Sequence, residues 1–176
     1  LSINVELPTA SGLAQFAPEK DGQRIRQAMQ GVDRHVQAWR AATREQRQAQ
    51  SLPGAPAQRA AVPRFAPGGQ STQMIVGADR ATDADILESS HTLYAGYGLR
   101  RVYYSAFSPI PDASRDLPPQ APPLMREHRL YQADWLMRFY GYGAGEIAAA
   151  SRHGMLDLEI DPKLAWALAN RQQFPV

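Results

Sequence analysis

The side chains in this sequence that could do chemistry fall into three small groups. The first lies on a strictly alternating run, Ser2 to Leu7, in which Ile3, Val5 and Leu7 point one way while Asn4 and Glu6 point the other. Asn4 and Glu6 could hold a polar ligand on that second face. Alternatively Glu6 is simply solvated, since a buried carboxylate must be paired or hydrogen-bonded. The second group sits on two apolar runs. Gln73, Val76 and Gly77 belong to the first, and Tyr104 and Ser105 to the second. Gly77 either lets a ligand approach the backbone or fits a tight turn. Tyr104 and Ser105 either touch a ligand or are packed with their hydroxyls satisfied. The third group is Arg126, His128 and Arg129 near the amino end of an expected helix. Helix amino ends favour anions, so this group either grips a carboxylate or phosphate or pairs with Glu127 and Asp134.

Several familiar chemistries have no residues to carry them. There is no cysteine, so disulfides and thiolate metal ligands are excluded from this stretch. His35, His91, His128 and His153 have no metal-ligand spacing among themselves, and no metal site is expected. A Gly-Lys-Ser phosphate loop, a Gly-x-Gly-x-x-Gly turn after a strand and a Gly-x-Ser-x-Gly elbow are all missing. The stretch shows no self-contained active site.

The elements that must position these groups are organised around Gln70 to Ile110. Met74-Ile75-Val76 reads as a strand ending at Gly77. Thr82 and Asp85 resemble a capping box opening a helix from Asp85 to Tyr94, and Val102 to Phe107 reads as a second strand. Strand, helix and strand with this spacing predict a right-handed βαβ unit with parallel pairing. Ligands of such folds gather at the carboxyl ends of the strands.

Around that unit, a helix opening at Pro18 to Asp21 carries the stripe Ile25, Met29, Val32, Val36 and Trp39. The arginines from Arg24 to Arg47 lie largely off the stripe. Pro53, Pro56, Pro63 and Pro67 predict a loop over Gln50 to Pro67. A proline-punctuated connection, Ser108 to Pro123, leads to a strong helix, Leu124 to Tyr140, with Leu130, Ala133, Met137 and Tyr140 on one stripe. A short helix from Glu146 to His153 stops at Gly154, and Asp161-Pro162 opens a last helix. The expected fold class is α/β, built of parallel βα units with C-terminal helices. Residues 1–110 are expected to form barrel-like βα structure and residues 111–176 a helical extension packed on it.

At 176 residues the chain is long enough to bury a sizeable core, and it begins at Leu1, which suggests a piece of a longer polypeptide. The formal net charge is +2, with Lys20 and Lys163 the only lysines. An arginine-dominated positive charge suits bidentate phosphate contact, although net charge alone is weak evidence for a nucleic-acid partner. No apolar run has membrane-spanning length and no signal peptide is evident, so no membrane partner is expected and the cytoplasm is the default compartment.

Five strings together resemble one group of proteins. They are Ser2-Ile-Asn-Val-Glu-Leu-Pro-Thr, Gly69-Gln-Ser-Thr-Gln-Met-Ile-Val-Gly-Ala, Leu99-Arg-Arg-Val-Tyr-Tyr-Ser-Ala-Phe, Arg126-Glu-His-Arg-Leu-Tyr-Gln-Ala-Asp-Trp-Leu and Leu158-Glu-Ile-Asp-Pro-Lys-Leu-Ala-Trp-Ala-Leu. The group is the DNA modification or repair branch of the radical S-adenosylmethionine superfamily. The resemblance covers nearly the whole chain and weakens over Gln50 to Pro63.

It implies a partial, TIM-like (β/α) barrel with S-adenosylmethionine and a [4Fe–4S] cluster at its carboxyl mouth. The three closely spaced cluster cysteines belong to an earlier part of such a barrel. The helix-hairpin-helix DNA-binding element of the group belongs beyond Val176. By this likeness the chain is the later half of the barrel, partnered by upstream and downstream segments and possibly acting on DNA. Asn4 and Glu6 then contact the methionine or ribose part of the cofactor, Gln73, Val76 and Gly77 lie near its adenine, and Tyr104 and Ser105 line the next strand end. The glutamate that usually follows the glycine motif is not evident, and Asp79 or Asp83 stands in for it. The alternative is a non-catalytic nucleic-acid-binding or scaffolding module that uses the arginine surfaces.

Overall fold

A computed structural model describes residues 1–51, 65–112 and 114–173. The predicted loop over Gln50 to Pro67 therefore lies largely outside the described residues. In chain order the elements are α1 (Ala10–Phe16), α2 (Gly22–Gln50), β1 (Gln70–Val76), α3 (Asp83–Tyr97), β2 (Leu99–Ala106), α4 (Leu124–Tyr140), α5 (Ala144–Ala149) and α6 (Pro162–Ala169). The chain is a mixed α/β fold. β1 and β2 pair in parallel, with Thr72 opposite Val102, Met74 opposite Tyr104 and Val76 opposite Ala106. The expected βαβ unit is present, and its strands are longer than the apolar runs alone suggest.

The amino-terminal segment lies along the other edge of β1, also parallel, but it is not the continuous strand that its alternation predicts. It touches β1 at two isolated bridges, Ser2 to Ser71 and Glu6 to Met74. Ile3 donates to Ser71 O at 3.1 Å, whereas the next residue to donate to a β1 carbonyl is Glu6, to Gln73 O at 3.1 Å. Between them the Val5 amide donates to the Thr72 hydroxyl at 3.0 Å. An odd-numbered residue is thus replaced by an even-numbered one as ladder partner. The backbone changes phase through Glu6, which takes φ of 65°. A non-glycine residue in that region costs on the order of 1 kcal/mol. On the outer side of this segment the exposed residues Ser2 and Asn4 present backbone groups that have no protein partner among the described residues.

One face of the sheet is covered. Met74, Val76, Val102 and Tyr104 pack with Ile86, Leu87 and Leu93 of α3, Leu130, Ala133 and Leu136 of α4, and Ile147 of α5. Met29 of α2 joins this core, and buried Gln70 ties the helices together by donating to Met29 O at 3.3 Å and Tyr97 O at 2.9 Å. The opposite face, with Ser71, Gln73 and Ile75 beside Arg101, Tyr103 and Ser105, is half-buried or exposed.

The helix α4 spans the residues its periodicity predicts and runs antiparallel to β2 along the outer edge of that strand. Three of its side chains there, helped by Tyr94, take the place of a neighbouring strand. The Ala106 amide donates to Glu127 at 2.8 Å. Tyr131 Oη accepts from the Tyr104 amide and donates to the Tyr104 carbonyl, both at 3.0 Å. The Val102 amide donates to Tyr94 Oη at 2.9 Å, and Arg138 reaches Arg100 O at 3.5 Å. Asp134, fully buried, sits behind this row and accepts from Tyr94 Oη at 2.5 Å and Arg138 Nε at 2.7 Å. This arrangement turns the Asp134 side of α4 towards the sheet. Tyr140, expected on the buried stripe, is accordingly 63% exposed.

Two further boundaries differ from expectation. α5 ends at Ala149 rather than at His153, because the chain beyond it is drawn to the start of α3, where the Ala84 amide donates to Gly154 O at 2.9 Å. α1, capped by Thr9, was not anticipated. The capping box of Thr82 and Asp85 and the Asp161 cap of α6 form as expected.

Burial and the neighbouring Asp134 carboxylate raise the ionisation of Tyr94 and Tyr104 well above the ordinary tyrosine range. The folded protein therefore holds these protons where the unfolded chain would release them, so stability is full below about pH 10 and falls as pH rises beyond it. Urea midpoints measured from pH 8 to 11 should fall at the alkaline end, and Tyr104→Phe should flatten that fall. An equally steep decline in Tyr104→Phe would assign the loss to other groups.

Candidate functional site

Beyond the carboxyl end of β1 the fold opens into a cleft of about 840 Å³. Its walls are α1 and its cap (Thr9, Ser11, Gln15), the turn after β1 (Asp79, Arg80, Ala81) and part of the connection after β2 (Arg115, Asp116). The cleft is thus where parallel βα topology places ligands. Its rim mixes carboxylates with guanidiniums. Asp85 is already bound to its capping role, accepting from the Thr82 amide at 2.8 Å and the Thr82 hydroxyl at 2.7 Å. Asp79, Asp116, Arg80 and Arg115 make no ion pair among the described residues. A rim of both signs suits a zwitterionic ligand better than a simple anion.

Glycine is needed twice to shape this end of the fold. Gly77 has φ of 82°, and a β-carbon there would come within 2.8 Å of Pro122. The residue is the turn that folds the connection back over the end of β1. At Gly12 an added β-carbon would collide with Asp79 Oδ2, so the absence of a side chain on α1 lets the Asp79 carboxylate reach the cleft wall. Asp79 is held in place by accepting from the Ala81 amide at 3.1 Å.

The sequence-derived candidates do not converge on one spot. Asn4 is exposed, accepting from the Ser2 hydroxyl at 3.0 Å. Gln73 and Ser105 stand half-buried on the open sheet face, and their side-chain polar atoms have no partner among the described residues. Glu6 is engaged by Lys20 at 2.5 Å. The Val76 side chain is fully buried in the core, and Tyr104 is packed, donating to the Ser90 hydroxyl at 2.9 Å.

Of the helix group, only His128 is exposed. Arg126 is a buried ion-pair partner, but of Asp83 rather than of Glu127 or Asp134, at 2.7 Å, and it also donates to Ala81 O at 3.0 Å. Arg129 is buried as well, donating to Gln132 and to Leu158 O at 2.9 Å each. Asp83 is completely buried and also accepts from the Leu156 amide at 2.9 Å. It therefore cannot face a ligand, and of the two aspartates considered as stand-ins for the glutamate, Asp79 is the one that lines the cleft. The cleft residues on α1 escaped sequence reasoning. Their only signal was Thr9 ahead of Leu13 and Phe16, a weak cap with few apolar positions.

No protein-family model, curated protein or solved structure matches the chain. Among the described residues no group of three or more His, Cys, Asp or Glu could hold a metal ion, and no helix is long and apolar enough to cross a membrane.

The Asp83–Arg126 pair ties together the starts of α3 and α4 and the loop at Leu156, which back the cleft. Removing one member of a buried pair strands the other charge and costs roughly 3–5 kcal/mol. Arg126→Ala should therefore lower the urea stability by about that amount, whereas His128→Ala on the exposed side should leave it within about 0.5 kcal/mol. Equal, small losses in the two variants would remove the structural role given to Arg126.

Proposed function

We propose that the chain is the later part of a partial (β/α) barrel that binds S-adenosylmethionine at the carboxyl ends of its strands, in an enzyme that acts on DNA. The observation that carries this reading is the cleft at those ends, with its mixed-sign rim. The family resemblance of the five sequence strings supplies the identity of the ligand. The amino-acid part of S-adenosylmethionine is a zwitterion, and Asp79 and Asp116 beside Arg80 and Arg115 offer both counter-charges. Gln73, Ser105 and Asn4 lie outside the cleft lining, and a cofactor that extended from the cleft along the open sheet face would meet in them amide and hydroxyl groups of the kind that hydrogen-bond a ribose or adenine edge. Bound S-adenosylmethionine supplies a sulfonium whose carbon–sulfur bond can be cleaved reductively.

A [4Fe–4S] cluster does not fit the residues present, because clusters of this type are held by cysteine thiolates and the chain has none. Its ligands would have to come from another segment, so the task assigned to this chain is to bind and orient the cofactor.

Equilibrium dialysis of the chain against labelled S-adenosylmethionine tests the binding role directly. Asp79→Asn and Gln73→Ala should each weaken retention by about tenfold, as expected for one lost polar contact, with thermal midpoints close to that of the parent. In the complete enzyme, reconstituted anaerobically with iron and sulfide, the same changes should reduce 5′-deoxyadenosine formation. Unchanged dialysis and unchanged product would overturn the site.

A further inference from the structure

We propose that the outward face of α4, together with the exposed side of β2, is a stacking platform for a short single-stranded nucleic acid. The surface is built from aromatic rings and guanidiniums placed against one another. Tyr131, Trp135 and Phe139 are spaced four residues apart, so they form one row that winds over ~12 Å from the half-buried, strand-facing Tyr131 to the outer side of the helix. Trp135 and Phe139 are 53% and 58% exposed, and their ring centroids are 4.3 Å apart at an interplanar angle of 42°. Tyr103, on the open face of β2, is 44% exposed. Arg101 lies between strand and helix, its Cζ 4.8 Å from the Tyr103 centroid and 5.9 Å from that of Tyr131. Arg138 lies 4.8 Å from the Phe139 centroid.

The charge of this face points to an anionic partner. Asp134 is fully buried beneath Arg138, and Glu127 Oε2 accepts from the Ala106 amide. Asp161, which lines a pocket with Tyr131 and Trp135, is occupied as the cap of α6 by the Leu164 amide, and Lys163 lies in the same pocket. Arg100 and Arg101 make no ion pair among the described residues. Rings that lie open beside unpaired guanidiniums match a ligand presenting flat π-surfaces and phosphates together. A duplex hides its base faces, whereas a single strand can lay them on Tyr103, Trp135 and Phe139. At about 3.4 Å per nucleotide the row accommodates roughly three bases. The platform rests on the DNA-directed role proposed for the enzyme and gives that role a place on the chain. It requires neither the cleft nor the cofactor.

The test uses fluorescence anisotropy of a fluorescein-labelled twelve-nucleotide oligo(dT), with a labelled duplex of the same length beside it, and no S-adenosylmethionine present. Oligo(dT) should bind more tightly than the duplex. Trp135→Ala and Phe139→Ala should each weaken oligo(dT) binding by about tenfold, as for the loss of one stacked base. Arg101→Ala should lower the slope of log affinity against log salt by about one. All three residues are substituted on the surface, and circular dichroism melts should stay close to that of the parent. Absent binding, a preference for duplex, or affinity unchanged by the aromatic substitutions would overturn the proposal. So would concentration-dependent dimerisation in sedimentation runs that Trp135→Ala abolishes, because that result assigns the face to a second copy of the chain. S-adenosylmethionine binding in the cleft is read by dialysis, so loss of one result leaves the other standing.

Discussion

Every amide and carbonyl on the outer side of β2 has to find a partner, and meeting that need fixes much of this structure. In most sheets another strand would provide the partners. Here a helix does, through side chains whose spacing on α4 matches the repeat of the strand. Residues 127 to 138 of the helix cover ~16 Å, and the strand from residue 106 back to 100 covers ~20 Å. Glu127, Tyr131 and Arg138 can therefore meet successive outward-facing groups of an extended chain. Once that register is set, the rotation of α4 is set as well. The hydrogen-bonding residues and Asp134 must face the strand, and Trp135 and Phe139 are left pointing away from it. The exposed aromatic row is thus a geometric consequence of sealing the edge, whatever partner it serves.

A second buried carboxylate does comparable work at the other end of the strands. Asp83 draws together the first turn of α3, the guanidinium of Arg126 on α4 and the backbone at Leu156. Those three pieces are distant in sequence, and none is held to the others by apolar packing alone. With this corner rigid, the turn of residues 77–81 has a fixed floor, and Asp79 can be presented on one side of it. Gly12 and Gly77 then matter for the space they leave, since each lies where a neighbouring group must come close. The cleft owes its shape to polar anchoring and missing side chains more than to the strands themselves.

Much of the architecture was legible in local pattern. The helical stripe, the proline before Leu124 and the glycine after Tyr140 mark α4, and Thr82 with Asp85 marks the start of α3. Parallel pairing followed from the length of the crossover. What local pattern could not show is where side chains bond to backbone far away in sequence. The Thr72 hydroxyl takes the Val5 amide where the alternating run breaks, and the next residue, Glu6, is left-handed. Arg126 and Arg129 look like surface cations because arginines near a helix start usually are. Only the placement of Asp83 and of Leu158 O explains their burial. The candidate site suffered most from this, since Arg80, Arg115 and the α1 residues come together only through the folded connections.

The two borders of the sheet are unequal, and that inequality gives the molecule a direction. Beside β2 the backbone is already occupied, so an approaching strand would have to displace buried tyrosine and carboxylate contacts before pairing. Beside residues 1–6 the groups of Ser2 and Asn4 stand open to solvent. A polypeptide that lengthens this sheet, within one chain or between chains, can join from that side alone. Two copies can meet open border to open border, but the sealed border cannot template a third, so strand-by-strand growth into a long fibre stops where it starts.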